Sequence, residues 1–178
     1  MRGLKMNEVA LTVIEGEYWN RRFEEEKNLL MKILSGNYAA IEHVGSTAIP
    51  GIVAKPIIDI AIGIKSLDDA ERIKILLEKA GYEHRANHGD EYRLLFIRSI
   101  DGRRICHIHL EEINGRGWNN HIKFRDYLLR SSRLRQEYMD LKLELAKKYP
   151  MDRARYTSEK ADFIQAVLKS EKDNICEC

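Results

Sequence analysis

The chain has 178 residues, and its 30 Lys and Arg against 28 Asp and Glu give a formal net charge of +2, so the whole-chain charge gives no argument for a nucleic acid or an anionic membrane as the partner. The longest apolar stretch, residues 41–64, is interrupted by charged residues and a proline, which excludes a membrane span of about 20 apolar residues, and the N-terminus has no apolar segment of signal-peptide length. We therefore expect one cytoplasmic domain over residues 1–178 that binds neither a membrane nor nucleic acid.

Helices flank a central group of strands in the predicted order of elements. Apolar residues three and four positions apart indicate helices, and alternating apolar residues indicate strands. In chain order we expect a helix over about 20–34, strands over 39–44 and 57–64, a helix over 67–80, strands over 82–85, 91–99 and 104–112, and helices over about 118–130, 132–149 and 158–169. This pattern predicts an α+β fold with a sheet of about five strands and a helical C-terminal part from about residue 118.

The first two predicted strands are joined by a small-residue turn, Gly45-Ser46-Thr47. Glycine and serine allow the backbone to bend tightly with free N–H groups, an arrangement that binds phosphate oxygens. The second strand carries one carboxylate, Asp59, downstream of this turn. We therefore predict that a triphosphate lies on the turn and that its metal ion lies on Asp59.

Strand alternation places Asp59 on the face opposite Ile58 and Ile60. A charged aspartate among isoleucines requires a partner, because burying it unpaired costs several kcal/mol. A ligand or a metal ion is one such partner. A salt bridge to Lys55 or to an arginine is the alternative.

The same alternation in the predicted strand 104–112 places His107, His109 and Glu111 on one face. Two imidazoles and a carboxylate form a ligand set that metal ions accept, and they are also typical of a solvated sheet face. Arg93, on the strand predicted to pair with this one, is a fork-shaped donor that suits phosphate. An ordinary surface arginine is the alternative for that position.

The three cysteines indicate neither a disulfide framework nor a four-ligand zinc site. Cys106 falls in a predicted strand, and Cys176 and Cys178 at the charged C-terminus are typical of incidental thiols. We therefore assign no site to any of them.

Two segments resemble the signature of the GrpB family, which belongs to the nucleotidyltransferase-fold superfamily: residues 43–51, His-Val-Gly-Ser-Thr-Ala-Ile-Pro-Gly, and residues 55–60, Lys-Pro-Ile-Ile-Asp-Ile. The resemblance continues through residues 93, 107–110, 124–128, 138, 142, 156–160 and 163, and so covers nearly the whole chain. It implies a mixed sheet of the nucleotidyltransferase type. Some family members are fused to dephospho-coenzyme A kinase, which implies a link to nucleotide or coenzyme A metabolism.

The resemblance also implies site residues, with one departure. Gly45-Ser46 matches the Gly-Ser turn that meets nucleotide phosphates, and Asp59 matches the first metal-binding carboxylate. Active superfamily members usually carry a second acidic residue two positions later, where this chain has Ala61. Two divalent ions need several oxygen ligands, so the histidines would have to complete the site, and imidazole ligands favour Mn²⁺ or Zn²⁺ over Mg²⁺.

Our leading hypothesis is a nucleotidyltransferase-like protein that binds a nucleotide or another phosphorylated small molecule and transfers a nucleotidyl group with a divalent metal, Mg²⁺ or Mn²⁺. Its residues would be Asp59 in catalysis; Gly45, Ser46, Thr47, Lys55, Arg93 and Lys160 on the phosphates; and Asp59, His107 and His109 on the metal. The rival hypothesis is a non-catalytic binding module, which Ala61 favours. A metal-dependent hydrolase that uses the histidines is a third alternative.

Overall fold

The computed structural model of the chain describes residues 11–12, 16–88 and 92–175, and it has the predicted α+β architecture. Its helices are α1 (Gly16–Leu34), α2 (Ala70–Lys79), α3 (Arg116–Arg130), α4 (Ser132–Lys148) and α5 (Arg153–Ile175). Its strands are β1 (Ala40–Val44), β2 (Ile58–Ile64), β3 (Glu83–His84), β4 (Arg93–Ile100) and β5 (Arg103–Glu112). Single turns of 3₁₀ helix occur at Ser46–Ala48, Leu67–Asp69 and Ala86–His88.

The five strands form one mixed sheet in the order β1-β2-β5-β4-β3. Strands β2 and β5 are parallel, and the other neighbouring pairs are antiparallel. The parallel pair lies at the centre of the molecule and brings together residues 48 positions apart, so that Asp59 pairs with His107. This central pairing positions the candidate site.

One face of the sheet packs under α1 and α2. Ile58, Ile60 and Ile62 of β2 are buried there with the alternate residues of β5, Cys106 and Ile108. Helix α1 contributes residues such as Trp19 and Leu30, and α2 contributes Ile73 and Leu77. The prediction that alternate residues of these two strands face an apolar core is confirmed.

A buried polar group joins α1 to this sheet. The Glu26 side chain on α1 is 5% exposed. The Tyr82 hydroxyl donates to Glu26 Oε1 at 2.5 Å, and Arg98 Nη1 donates to Glu26 Oε2 at 2.6 Å. Because both carboxylate oxygens have charge-assisted or short hydrogen bonds, the buried charge is compensated.

The other face of the sheet is covered by the helical C-terminal part. Trp118 of α3 packs with Val44 and Ala61. On α4, the residues Leu134, Tyr138 and Leu145 repeat at helical spacing and are buried. A cavity remains on this second face, between the sheet and helices α4 and α5.

The start of α1 and both ends of α5 differ from the prediction by four residues or more. Helix α1 begins at Gly16 rather than near Asn20, because Trp19 is buried and extends the packed face toward the N-terminus. Helix α5 begins at Arg153 rather than Ser158, because the carboxylate of Asp152 accepts the N–H of Arg155 at 3.0 Å and so caps an earlier first turn. It also continues past residue 169 to Ile175.

Strand β3 has two residues rather than four, since it is an edge strand that pairs with β4 alone. Cys106 is buried in the core, whereas Cys176, Cys178 and the predicted strand start at Glu91 lie outside the described residues. No helix in the described part of the chain has the length and apolar character that crossing a membrane requires.

Candidate functional site

The cavity on the second face of the sheet has a volume of about 740 Å³, within the range of about 300–1,000 Å³ that is typical of small-molecule sites. Among the described residues, the ionisable lining is strongly cationic. The basic lining residues are Lys55, Arg85, Arg93, Arg104, Lys142, Arg153 and Lys160, and the acidic ones are Asp59 and Asp152. A nearly neutral chain thus concentrates positive charge in one cavity.

Asp59 lies within this cavity beside two histidines of the parallel strand. His107 Nδ1 is hydrogen-bonded to Asp59 Oδ1 at 3.0 Å, and His109 Nε2 is 3.6 Å from the same oxygen. The Asp59 side chain is 28% exposed. The carboxylate is therefore accessible from the cavity and is not sealed in the apolar core.

Hydrogen bonding determines which nitrogen of His109 carries the proton. Arg93 Nη1 lies 3.4 Å from His109 Nδ1, and arginine only donates, so Nδ1 accepts and the proton lies on Nε2, toward Asp59. Burial, helped by the charge of His121, lowers the pKa of His109 to about 4, so this ring is neutral at pH 7. Burial opposes ionisation of Asp59, yet His107 and then His109 hold the pKa of that carboxyl well below its usual range.

The Gly45-Ser46-Thr47 turn lies directly against Asp59. Gly45 has φ 70° and ψ −165°, a combination that is essentially restricted to glycine. A Cβ at this position would lie 2.6 Å from Asp59 Oδ2. On the other side of the turn, Thr47 Oγ1 is hydrogen-bonded at 2.9 Å to Nε2 of the buried His43. The turn is thus fixed between β1 and the carboxylate, with Ser46 and Thr47 lining the cavity.

Three lysines and Tyr156 form the wall opposite the sheet. The Nζ atoms of Lys55 and Lys160 lie 4.4 Å and 5.2 Å from the centroid of the Tyr156 ring. Lys142 is 1% exposed, and its ammonium donates to the Val53 carbonyl. Burial, followed by repulsion from Lys160, lowers the pKa of Lys142 to about 6. An anion placed here would relieve the repulsion between these cations.

The residues predicted from the sequence converge on this one cavity. Its lining contains Ser46, Thr47, Lys55, Asp59, Arg93, His107, His109 and Lys160, and Gly45 contacts Asp59 from behind the turn. The alternative of a salt bridge between Asp59 and Lys55 is not observed, since the ion-pair partners of Asp59 among the described residues are the two histidines.

The prediction that Glu111 joins His107 and His109 in one ligand set is wrong, because Glu111 does not line the cavity. It is fully buried, and its Oε2 is hydrogen-bonded at 3.1 Å to Nδ1 of His121. Gly117 packs on Glu111 so closely that a Cβ there would lie 2.8 Å from Oε1. Glu111 instead orients His121, a cavity residue on α3 whose ring lies 4.5 Å from that of His109.

The sequence analysis did not identify several basic residues that line the cavity, and the reason differs from residue to residue. Lys142 follows Tyr138 by four residues and so lies on the buried face of α4, whereas a lysine beside an apolar stripe ordinarily extends its amine into water. Arg153 lies before the predicted helix start at residue 158, and in the structure it is the first residue of α5. Arg104 was hidden by a β-bulge, because the register shift opposite Arg98 and Ser99 lets Ile105 pack with Cys106 against the core and turns Arg104 to the cavity.

The arrangement does not fit a two-metal centre. Within the described ranges, no group of three or more His, Cys, Asp or Glu side chains is placed to hold a metal ion. The Oδ1 atom of Asp59 receives N–H groups, and the Nδ1 lone pair of His109 accepts from Arg93. A metal ion bound by Asp59, His107 and His109 stays a prediction, and it would require these side chains to rearrange.

Comparison with known proteins gives one consistent result. The family model described as GrpB protein matches residues 11–170. The glutamate-rich protein GrpB of Alkalihalophilus pseudofirmus is 42% identical over 172 residues, covering 94% of this chain and 98% of that protein. The crystal structure of the conserved protein GrpB from Enterococcus faecalis superposes with a TM-score of 0.83 at 28% identity, covering 94% of this chain and 100% of that one.

Two more distant matches are informative. A crystal structure of the Cid1 poly(U) polymerase has a TM-score of 0.51 at 16% identity and covers 77% of this chain and 43% of that one; the likeness shows a shared nucleotidyltransferase-like fold. A dephospho-CoA kinase of Mycobacterium bovis is 30% identical over 158 residues, covering 73% of this chain and 38% of that protein.

Proposed function

The chain belongs to the GrpB family and has a nucleotidyltransferase-like fold, and on that basis we propose that its cavity binds a nucleotide or another phosphorylated small molecule. The observation that carries this proposal is the concentration of seven basic side chains against two carboxylates in one cavity of about 740 Å³. Phosphate groups are the common metabolite groups that neutralise several cations at once. A fork-shaped arginine contacts two phosphate oxygens, and a lysine supplies a point charge.

Burying several like charges near one another costs free energy. This cost supports the proposal that an anion is bound in the cavity when the protein functions. The pKa of Lys55 is lowered to about 7 by burial, then by repulsion from Arg153 and Lys160. Burial and the nearby Arg104 lower the pKa of Arg153 as well. An anionic ligand would replace the repulsion among these cations with attraction to the ligand. Because the fold already holds the cations together, binding would not have to pay for bringing them into place.

We propose that two walls of the cavity hold the phosphate. On the sheet side, the Gly45-Ser46-Thr47 turn and Arg93 face the cavity, and on the helix side Lys160 and Arg153 do. The 3₁₀ turn at Ser46–Ala48 follows a glycine and contributes Ser46 and Thr47 to this wall, and small-residue turns of this kind commonly bind phosphate oxygens without a charged side chain. Because the chain is similar in sequence to a dephospho-CoA kinase, we include coenzyme A precursors among the proposed ligands.

The test is a thermal-shift screen of nucleoside triphosphates, coenzyme A precursors and pyrophosphate. A ligand at 100 times its dissociation constant adds about 2.7 kcal/mol of stability, which corresponds to a rise in melting temperature of about 5–10 °C for a domain of this size. We expect Lys160→Ala to lower the affinity of a hit about tenfold, because it removes a charge-assisted contact. The matched control is Lys169→Ala, which removes the same charge from an exposed position on the same helix. Equal weakening by both variants would contradict the proposal.

Nucleotidyl transfer is the second candidate function, and the position of Asp59 favours it. Its accessible carboxylate lies beside the turn and hydrogen-bonds to His107. In such a transfer an acceptor oxygen would attack the α-phosphorus, pyrophosphate would leave, and the acceptor proton would pass to a cavity base. Ala61 and the cationic lining argue against two divalent ions at this place.

We expect nucleotides labelled at the α-phosphate to be recovered intact after incubation with Mg²⁺ or Mn²⁺ and a panel of acceptors. The measurement is chromatography of the labelled products. Transfer that is lost in Asp59→Asn and kept in Asp162→Asn, an exposed acid on α5, would establish the enzyme in place of the binding module.

A further inference from the structure

Lys55 occupies an unusual position for a lysine. Its side chain lines the cavity, and its Nζ lies 4.4 Å above the Tyr156 ring. Among the described residues, no hydrogen bond or ion pair holds this amine, and the aromatic face is its only specific contact. The amine is therefore held in place without a donor or acceptor that would block its nitrogen.

Cations surround this amine from several elements. Lys160 and Arg153 face it from α5, Arg104 from β5, and Lys142 from α4, whereas Asp59 is the acid that opposes them. Lys160 shares the Tyr156 ring with it, at 5.2 Å from the centroid. Crowding of this kind, together with burial, favours the neutral amine, which is how amine nucleophiles are activated.

The pKa of Lys55 is lowered to about 7, mainly by burial. At pH 7 the neutral amine, with its free electron pair, is therefore far more populated at Lys55 than at an ordinary lysine, whose pKa of about 10.4 keeps it almost entirely protonated. The same cations that lower the charge of Lys55 would hold the phosphate of a ligand next to it.

We propose that Lys55 forms a reversible imine with the carbonyl carbon of a phosphorylated aldehyde or ketone bound in the cavity. This inference rests on the proposed function, since the phosphate is held by Arg104, Arg153 and Lys160. The electron pair of Nζ attacks the carbonyl carbon as the C=O π bond opens, and one amine proton passes to the carbonyl oxygen to give a carbinolamine. That oxygen then leaves as water with the second amine proton, while the nitrogen electron pair forms the C=N bond. No oxidant or further reactant is needed.

The positions of the two lysines favour Lys55 over Lys142 as the amine that forms the imine. Lys142 is 1% exposed, and its amine already donates to the Val53 carbonyl. A carbonyl compound would have to break that contact and enter the packed interior to reach it. Lys55 is only half-buried and faces the open volume.

The test uses pyridoxal 5′-phosphate, a phosphorylated aldehyde, as the probe on the full chain. We expect a visible imine absorption band and, after borohydride reduction, one labelled site per chain, which peptide mass spectrometry assigns to Lys55. Sulfate should protect the site, and pyridoxal without the phosphate should label it at least tenfold more slowly. The labelling rate should rise with pH with a midpoint near 7, rather than near 10 as for exposed lysines.

The variant pair is Lys55→Arg and Lys79→Arg, each of which replaces an amine with a guanidinium that stays protonated and forms no imine. Lys79 is exposed on α2, away from the cavity. Loss of the label in Lys55→Arg alone supports the proposal. Label spread over exposed lysines with no excess at Lys55 overturns it, and this result comes from the unmutated chain even if a variant fails to fold. If nucleotides shift the melting temperature but no imine forms, the imine alone is wrong; if neither sulfate nor nucleotides bind, the proposed function fails as well.

Discussion

Replacing Gly45 with alanine is expected to lower the free energy of unfolding by about 3 kcal/mol and to abolish ligand binding in the cavity. Two effects add at this position. Its φ of 70° with ψ of −165° is strained for any residue with a Cβ, and the added methyl group would lie 2.6 Å from Asp59 Oδ2 and 2.9 Å from Asp59 Cβ. The carboxylate would have to move, which breaks its hydrogen bond with His107.

Gly51→Ala is the matched control for this change. Gly51 has a φ of 80°, and nothing lies within 4 Å of a Cβ built there, so it carries the backbone strain without the clash. We expect it to cost about 1 kcal/mol and to keep ligand binding. Urea unfolding measures the stability of both variants, and the thermal-shift hit measures binding. Equal losses in the two variants would show that backbone strain alone, and not contact with Asp59, explains the effect.

Glu26→Ala is expected to lower the free energy of unfolding by about 3–5 kcal/mol, because it leaves a buried partner group uncompensated. The Tyr82 hydroxyl and the Arg98 guanidinium both donate to this carboxylate, which is 5% exposed between α1 and the sheet. Removing it also leaves a cavity in the core. The ligand site lies on the other face of the sheet, so we expect binding to survive wherever the variant is folded.

The control for Glu26 is its neighbour Glu25, which is 58% exposed and lies 3.7 Å from Arg22. Glu25→Ala should change stability by less than about 0.5 kcal/mol. A double-mutant cycle of Glu26→Gln with Tyr82→Phe separates the hydroxyl contact from the charge. Additive effects of these two changes would contradict a direct bond between the side chains.

Most of the sheet side of the site could be predicted from residue alternation. Period-two spacing places Asp59 opposite the isoleucines and His107 with His109, and these predictions need no knowledge of which strands pair. The distance of 3.0 Å between Asp59 and His107 depends on β2 and β5 being parallel neighbours in register. Local sequence patterns do not specify which strands pair when the segments lie 48 residues apart.

The helix side was harder to predict, for local reasons. The start of α5 depends on one carboxylate, Asp152, that accepts a backbone N–H, and moving that start by five residues brings Arg153 into the cavity. Simple alternation back from Cys106 would place Arg104 on the apolar face, and a single bulged residue places it at the cavity instead. Glu111 obeyed the alternation, but close packing by Gly117 and the hydrogen bond with His121 make it a buried support rather than a cavity group.

The lysines around Tyr156 carry charge of the same sign and come from segments about a hundred residues apart in the sequence. Lys55 precedes β2, whereas Tyr156, which holds it, and Lys160 lie on the terminal helix. Without an anion between them, we expect electrostatic repulsion to lower the free energy needed to open this helix locally. The ligand would then act as the counter-charge that closes the domain, so that the docking of its last helix depends on the supply of phosphorylated metabolite.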